Sequence, residues 1–489
     1  ATASGSGWGS GFSDSSAPVA QNDGWGAPAY NGWGAPEPVA STGGWGGSQE
    51  QNDGWGAPDT KPAANRIPDL RPDDPQRRTT FAPRLRGNGN DDNVSLTEAA
   101  SVANFLMNSK NYRTSTNGVL TVCFDIGGST TDISALYPLV DGVTMIKQNS
   151  IRFAAQRVAS ATRFSPNFGN VLVKACAQFG IKILGLNMGP NQFSPQTAPY
   201  YFEQMVDRLP TDKLPEFYAL IIANCPELMC VNLYVTGLVM YYAGQLTGKL
   251  VDELRRGTDT GMMRAPMVEI VFAGKGSRLF EWFSTTNPQA AENYYSQLFI
   301  RGMGGMQQAQ KLLCAPPRIN LSSQSSDDVK YEVSKGLANT NSKLLVPTQN
   351  EAIEILGEND FTITMRDGKI VTLAHDNSIT AEMMSYIGQY FNAPLVYENP
   401  NANKFMDFAS VFYNVASKYF GLKVPQSVFI DGFRNMNIDS YIRNMPEYAA
   451  AVRKMRVNPE KKFDFVAPII VLEGMKFFED YLLPAIKKQ

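Results

Sequence analysis

Nine consecutive residues, Phe124-Asp-Ile-Gly-Gly-Ser-Thr-Thr-Asp132, hold the sharpest chemistry in this chain. Gly127 and Gly128 let the backbone turn tightly and let a ligand come close. Consecutive amides in such a turn, including that of Ser129, form a nest suited to phosphate oxygens. Asp125, at the end of an apolar run, has the carboxylate to hold a magnesium ion through water. Thr130 offers a hydroxyl to a phosphate or to an attacking water. The segment has neither the Gly-Lys-Ser/Thr of a P-loop nor a dinucleotide fingerprint. A ligand-free glycine hairpin with aspartate caps is the other reading of the same residues.

Other chemistries have less to stand on. His375 is the single histidine, so a multi-histidine metal site is excluded, and a Ser–His–Asp triad would depend on that one residue. It follows a hairpin signal, where a surface or capping role is expected. The five cysteines (Cys123, Cys176, Cys225, Cys230 and Cys314) are odd in number and sit in apolar runs. Cys225 and Cys230 make one C-x4-C with no second pair, which supports neither zinc nor a disulfide framework. Buried, reduced thiols in a cytoplasmic protein are the expectation.

The elements that must position the glycine turn are legible around it. Ser95-Leu-Thr-Glu98 fits a capping box ahead of a small-residue helix running to Met107. Val119 to Asp125 is an apolar, β-branched run typical of a central strand, and the turn leads to further strands over Asp132–Tyr137 and Val143–Lys147. Helical patterns dominate from Asn170 to Arg256, with an amphipathic stretch from Tyr241 to Arg255. The most apolar run, Leu228 to Ala243, carries Asn232 and Thr236, is short of a membrane span, and is expected to be buried core. A strand over Met267–Ala273 ends in Gly274-Lys-Gly-Ser277. Alternating strands and helices indicate an α/β domain with a mixed sheet and flanking helices.

Composition divides the chain. Of 489 residues, the first sixty contain no Lys or Arg, six acids, 14 of the 41 glycines and five of the six tryptophans. Subtraction leaves 44 basic and 40 acidic groups over 61–489, so the head is −6 and the remainder +4. Neither part is a polycation, which argues against a dedicated nucleic-acid binder. Gln21-Asn-Asp-Gly-Trp-Gly-Ala-Pro recurs verbatim at Gln51–Pro58. Such sequence cannot bury enough surface to offset its ordering entropy, so 1–92 is expected to be disordered, either as a linker or as a tether whose tryptophans dock on a partner. The folded lobe is expected over 93–343, and a mostly helical C-terminal accessory module over 344–489, with a β-hairpin around Asp367-Gly368 and helices over Thr380–Phe391, Met406–Phe420 and Phe465–Ile486.

Asp-x-Gly-Gly-x-Thr-x-Asp on a hairpin resembles the second phosphate loop of the actin, DnaK-chaperone and sugar-kinase ATPase superfamily. Leu96 to Phe105 resembles that family's first connecting helix. Val271-Phe-Ala-Gly-Lys-Gly-Ser277 resembles its adenosine motif. Asp328 to Ala338 resembles its second connecting helix, with Gly336 at a close helix crossing. The resemblance implies an actin/ribonuclease-H-like lobe that binds ATP and magnesium. In it Asp125 orients magnesium-bound water, Thr130 contacts the terminal phosphate and Glu98 helps position the attacking water. Gly127, Gly128 and Ser129 cradle phosphates, while Gly274, Gly276 and Ser277 flank the nucleoside. Nucleotide state would then control lobe closure and a protein partner or self-association. A non-catalytic scaffold with the same fold and a small-molecule kinase are the alternatives.

One part of the family pattern is missing. No Asp-x-Gly-Thr/Ser hairpin with a suitable buried strand precedes the glycine turn, and the low-complexity head stands in its place. Two explanations fit: the first half lies upstream in a longer precursor with the head looping out between halves, which is the expectation, or the chain is a nucleotide-site relic. Lengthening a loop from ~10 to ~90 residues adds only roughly 2 kcal/mol of closure entropy.

Overall fold

The computed structural model describes chiefly residues 98–108, 118–139, 142–183, 194–256, 266–284, 286–321, 331–338, 404–435 and 464–487, with short strand segments between them. The chain divides into two units, Ala1–Asn65 and Arg66–Gln489, and every described residue lies in the second. The tryptophan-repeat head, His375 and most of the helix expected over 380–391 lie outside the described residues.

Two short strands, β1 (Arg84–Leu85) and β2 (Val94–Ser95), pair antiparallel ahead of α1 (Glu98–Asn108). This corrects the capping box. Ser95 pairs with Arg84 as a strand residue, and the helix starts only at Glu98. The central strand β3 (Val119–Ile126) is followed by β4 (Thr131–Leu139) and β5 (Gly142–Ile151) in an antiparallel meander. Helices α2 (Ala155–Ala161), α3 (Phe168–Phe179), α4 (Ala198–Arg208), α5 (Leu214–Asn224) and the 31-residue α6 (Pro226–Arg256) come next. Strand β6 (Met267–Ala273) then returns parallel to β3.

A 3₁₀ turn over Lys275–Phe280 leads into α7 (Glu281–Ser284), α8 (Pro288–Gly302) and α9 (Met306–Leu312), then β7 (Arg318–Ile319), α10 (Glu332–Ala338) and β8 (Leu344–Leu345). The mixed sheet runs β7-β6-β3-β4-β5-β8. Further on, β9 (Phe361–Thr364) and β10 (Ile370–Leu373) form the hairpin expected around Asp367-Gly368, in the register Thr364↔Ile370.

The two faces of the sheet are unequal. Side chains alternate along a strand, so Leu120, Val122 and Phe124 of β3 join Ile270 and Phe272 of β6 in the large core beneath the helices. Phe124 and Phe272 stack there with ring centroids 5.4 Å apart. On the opposite face Cys123, Val271 and Ala273 meet Val102 and Leu106 of α1 in a small second core, with Phe105 and Val333 partly buried against it.

Helix α6 runs through the large core. Every side chain from Leu228 to Ala243 is buried; in the Tyr241–Arg255 stretch expected to be amphipathic, Tyr241–Gln245 and Thr247 are buried while Leu246, Lys249 and Asp252 are half-buried. Two of its polar groups are absorbed internally: the Asn232 amide donates to the Leu279 carbonyl at 3.0 Å and Thr236 to the Asn232 carbonyl at 2.8 Å. Helix α8 lies against it almost backbone to backbone. A Cβ on Gly244 would stand 2.9 Å from the Phe299 carbonyl carbon, and one on Gly302 the same distance from that of Tyr241. Among the described residues, no single helix is long and apolar enough to cross a membrane.

The C-terminal helices enter the same core. Phe408 and Phe412 of α11 (Lys404–Phe420) and Phe477 of α12 (Ile469–Phe477) surround Tyr234, whose hydroxyl donates to the Gly474 carbonyl at 2.9 Å, and Phe405 packs on Phe408 and Phe477 beside them. Residues 465–468, expected as the start of a helix, instead lie in a strand, Asp464–Pro468, paired with Ser378–Thr380, so Thr380 is a strand residue too. All five cysteines are free; Cys314 is exposed rather than buried.

Candidate functional site

The parallel pair β3 and β6 ends level, with Asp125 opposite Ala273, and a glycine turn follows each strand. Ligands of open α/β sheets bind at such carboxyl ends. The first turn is closed by the Gly127 amide donating to the Thr130 carbonyl at 2.9 Å, which leaves Gly128 and Ser129 at the tip, Ser129 exposed. The second turn opens at Gly274, whose φ of +71° suits glycine.

The two turns touch. A Cβ on Gly274 would collide with the Asp125 carboxylate and lie 2.7 Å from the Ile126 carbonyl oxygen. On Gly276 it would lie 2.5 Å from the Gly127 carbonyl oxygen. Asp125, Gly127, Gly128, Ser129, Thr130, Gly274, Gly276 and Ser277 therefore form one cluster. Within it Asp125 is only 8% exposed, and Ser277 is fully buried with its hydroxyl donating to the Gly274 carbonyl. Glu98 is the first residue of α1, and its side chain lies outside the described residues.

Helix α2 abuts the first turn. Its leading amides donate to the turn, Gln156 to the Gly128 carbonyl at 2.7 Å and Ala155 to that of Gly127 at 3.4 Å. Ser129 Oγ donates to Gln156 Oε1 at 3.3 Å. Behind the turn Thr131 donates to the Phe153 carbonyl at 2.8 Å. The turn is thus held from outside as well as by its own closure.

The electrostatics are acidic on the α1 side. Asp132 pairs across the strands with Asp125, and burial pushes its carboxyl up while a Ser150 hydrogen bond works against the rise. The Cys123 thiol is pushed well up, first by burial and then by the nearby charges of Asp125 and Glu332. On the other side Lys275, next to Gly274, is paired with Asp207 of α4. Glu203, one turn earlier on α4, is pushed up to about 7 by burial, with Lys275 opposing. Among the described residues, no group of three or more His, Cys, Asp or Glu side chains is arranged to hold a bare metal ion.

The sequence does not announce the acid that holds the second turn. Glu332, 4% exposed at the start of α10, accepts the Gly274 amide at 2.7 Å. Four residues on, Gly336 lies where α10 crosses α1: a Cβ there would overlap the Ser101 carbonyl, and Asn104 Nδ2 donates to the Gly336 carbonyl at 2.7 Å. The crossing itself was expected at Gly336. An acid four residues before that glycine, and so on the same helical face, was the available signal for Glu332. No protein-family model matches this chain, and no curated protein matches it.

Proposed function

We propose that the two glycine turns form part of a nucleotide site of the actin/DnaK type, binding ATP with magnesium. The observation that carries this reading is the convergence of both turns on Asp125 at the carboxyl ends of β3 and β6. The meander extended by parallel strands agrees with the mixed sheet that the resemblance implies. Gly127 adds weight. A Cβ there would meet only Thr130 atoms, at 3.4 and 3.8 Å, so neighbouring protein atoms do not demand glycine, whereas close approach of a phosphate would.

In this reading Asp125 would hold magnesium through its water shell, the common way a protein carboxylate binds that ion. The ion would supply charge neutralisation at the phosphates. The residues do the positioning: the turn amides of Gly128 and Ser129 orient the phosphates, Gly127, whose own amide closes the turn on Thr130, lets them come close, Thr130 and Glu98 direct the water, and Gly274, Gly276 and Ser277 seat the nucleoside. Catalysis of this kind consists of positioning and electrostatic stabilisation, with no covalent intermediate. The output is a nucleotide-dependent protein contact, with a partner or with further copies of the chain.

A scaffold without catalysis is the second reading, favoured by one observation. The Gly127 and Gly128 carbonyls already cap α2, as they would in a purely structural turn. Titration of the chain with a fluorescent ATP analogue, with and without magnesium, separates the two. The nucleotide reading expects saturable, magnesium-dependent binding that Asp125→Asn weakens by at least tenfold. A folded chain that binds no nucleotide, or binds it equally well after the substitution, supports the scaffold.

A further inference from the structure

We propose that Glu332 is the positioning residue through which the nucleotide turn and the crossing of α10 on α1 are held as one unit. The proposal rests on the nucleotide reading for its ligand, but the linkage is built from contacts within the chain. One end is the Gly274 amide, which donates to Glu332 Oε2 at 2.7 Å. Gly274 is the residue with φ +71° whose α-carbon faces the Asp125 carboxylate. Fixing its amide therefore fixes the orientation of the turn against Asp125.

The other end is Gly336, on the same face of the helix one turn later. There the α10 backbone sits against the Ser101 carbonyl, and Asn104 of α1 donates to the Gly336 carbonyl at 2.7 Å. Glu332 and Gly336 are both buried. A shift of the Gly274 turn upon a ligand would have to move a charge-assisted hydrogen bond with little exposure to water, and with it the first turn of α10. Because α10 has no slack at Gly336, that movement passes to α1. Nucleotide occupancy would thus be reported on the sheet face opposite the large core.

The experiment uses the full chain as wild type, Glu332→Gln and Glu332→Ala. Gln keeps a carbonyl acceptor for the Gly274 amide, and Ala removes it. Amide hydrogen exchange is followed over 98–108, 267–280 and 331–338, with and without magnesium-ATP, beside nucleotide titration. In the free protein, Ala is expected to speed exchange at Gly274 by about 10-fold or more, and Gln to restore most of the protection. With ATP, wild type and Gln should change exchange in the turn, α10 and α1 together. Ala should bind about 10-fold more weakly and change exchange in the turn alone.

Unchanged Gly274 exchange in the free Ala variant would overturn the proposal, as would an ATP response in α1 that survives the loss of the carboxylate. Equal damage by Gln and Ala would overturn it too, since a general structural role predicts that. If wild type binds no nucleotide, the nucleotide reading fails by itself, and the free-protein exchange still decides for or against the Glu332 linkage.

Discussion

Replacing Gly336 by alanine tests the helix crossing most directly, because two effects of opposite sign compete. Alanine is the better helix former by about 1 kcal/mol. Its methyl would, however, overlap the Ser101 carbonyl oxygen and lie 2.6 Å from the carbonyl carbon and 3.3 Å from the Phe105 amide nitrogen. Carbon atoms settle at about 3.5–4.0 Å, so α1 and α10 must part by about 1 Å. The Asn104 contact to the Gly336 carbonyl, now 2.7 Å, would then stretch beyond hydrogen-bonding range.

Overpacking against main chain costs about 1–3 kcal/mol and the lost bond about 1 kcal/mol more. The net expectation is a local destabilisation of about 1–3 kcal/mol, against the helix propensity. Hydrogen exchange of the α1 and α10 amides is the suitable assay, because a chain of 489 residues need not unfold in one global step. Ser334→Ala, at an exposed position of the same helix, is the control and should stay within about 0.5 kcal/mol. Equal or greater protection in Gly336→Ala would refute the backbone contact and the geometry built on it.

Glu281, 8% exposed, is pushed up to about 7 by burial from an ordinary 4.5, with the Arg278 guanidinium opposing. Its carboxyl binds a proton more readily folded than unfolded, so its contribution to stability is greatest below about 4.5 and is lost as pH rises through about 7. Stability should fall by about 3 kcal/mol at most across that window, and Glu281→Gln should flatten the slope; an unchanged slope in denaturant melts at pH 5 and pH 8 would show that Glu281 is not its source. Thiol labelling of the native chain should modify exposed Cys314 first, while burial pushes Cys225 and Cys230 up to about 12 and keeps them unreactive until unfolding. Rapid native labelling of Cys230, read by peptide mass, would contradict that packing.

What the sequence made legible was local. β3 stood out because both its faces are covered, so its run is apolar without alternation. The 361–373 hairpin followed from Asp367-Gly368, and the glycine turn from its own nine residues. What stayed hidden depended on distant partners. Ser95 carries a capping signature, yet its strand pairing is with Arg84. The segment 464–468 has helical neighbours, and its partner at 378–380 decides that it is a strand. Glu332 reads as an ordinary first-turn acid until the fold sets it against Gly274, 58 positions away in the chain. The continuity of the C-terminal phenylalanines with the core around Tyr234 is equally invisible to any local window.

The backbone contact between α6 and α8 has a mechanical consequence. At Gly244 and Gly302 no side chain lies between the helices, so there is no rotamer to adjust and no compliant layer to shear. The two helices, and the sheet face they support, respond to load as a stiff plate. Among the described residues, the opposite face carries α1 and α10, packed through a small apolar cluster and hydrogen bonds such as those of Asn104 and Glu332. Deformation concentrates where stiffness is least, so strain applied at the glycine turns relaxes through the thin side of the sheet. The plate serves as the reference frame against which that displacement is expressed.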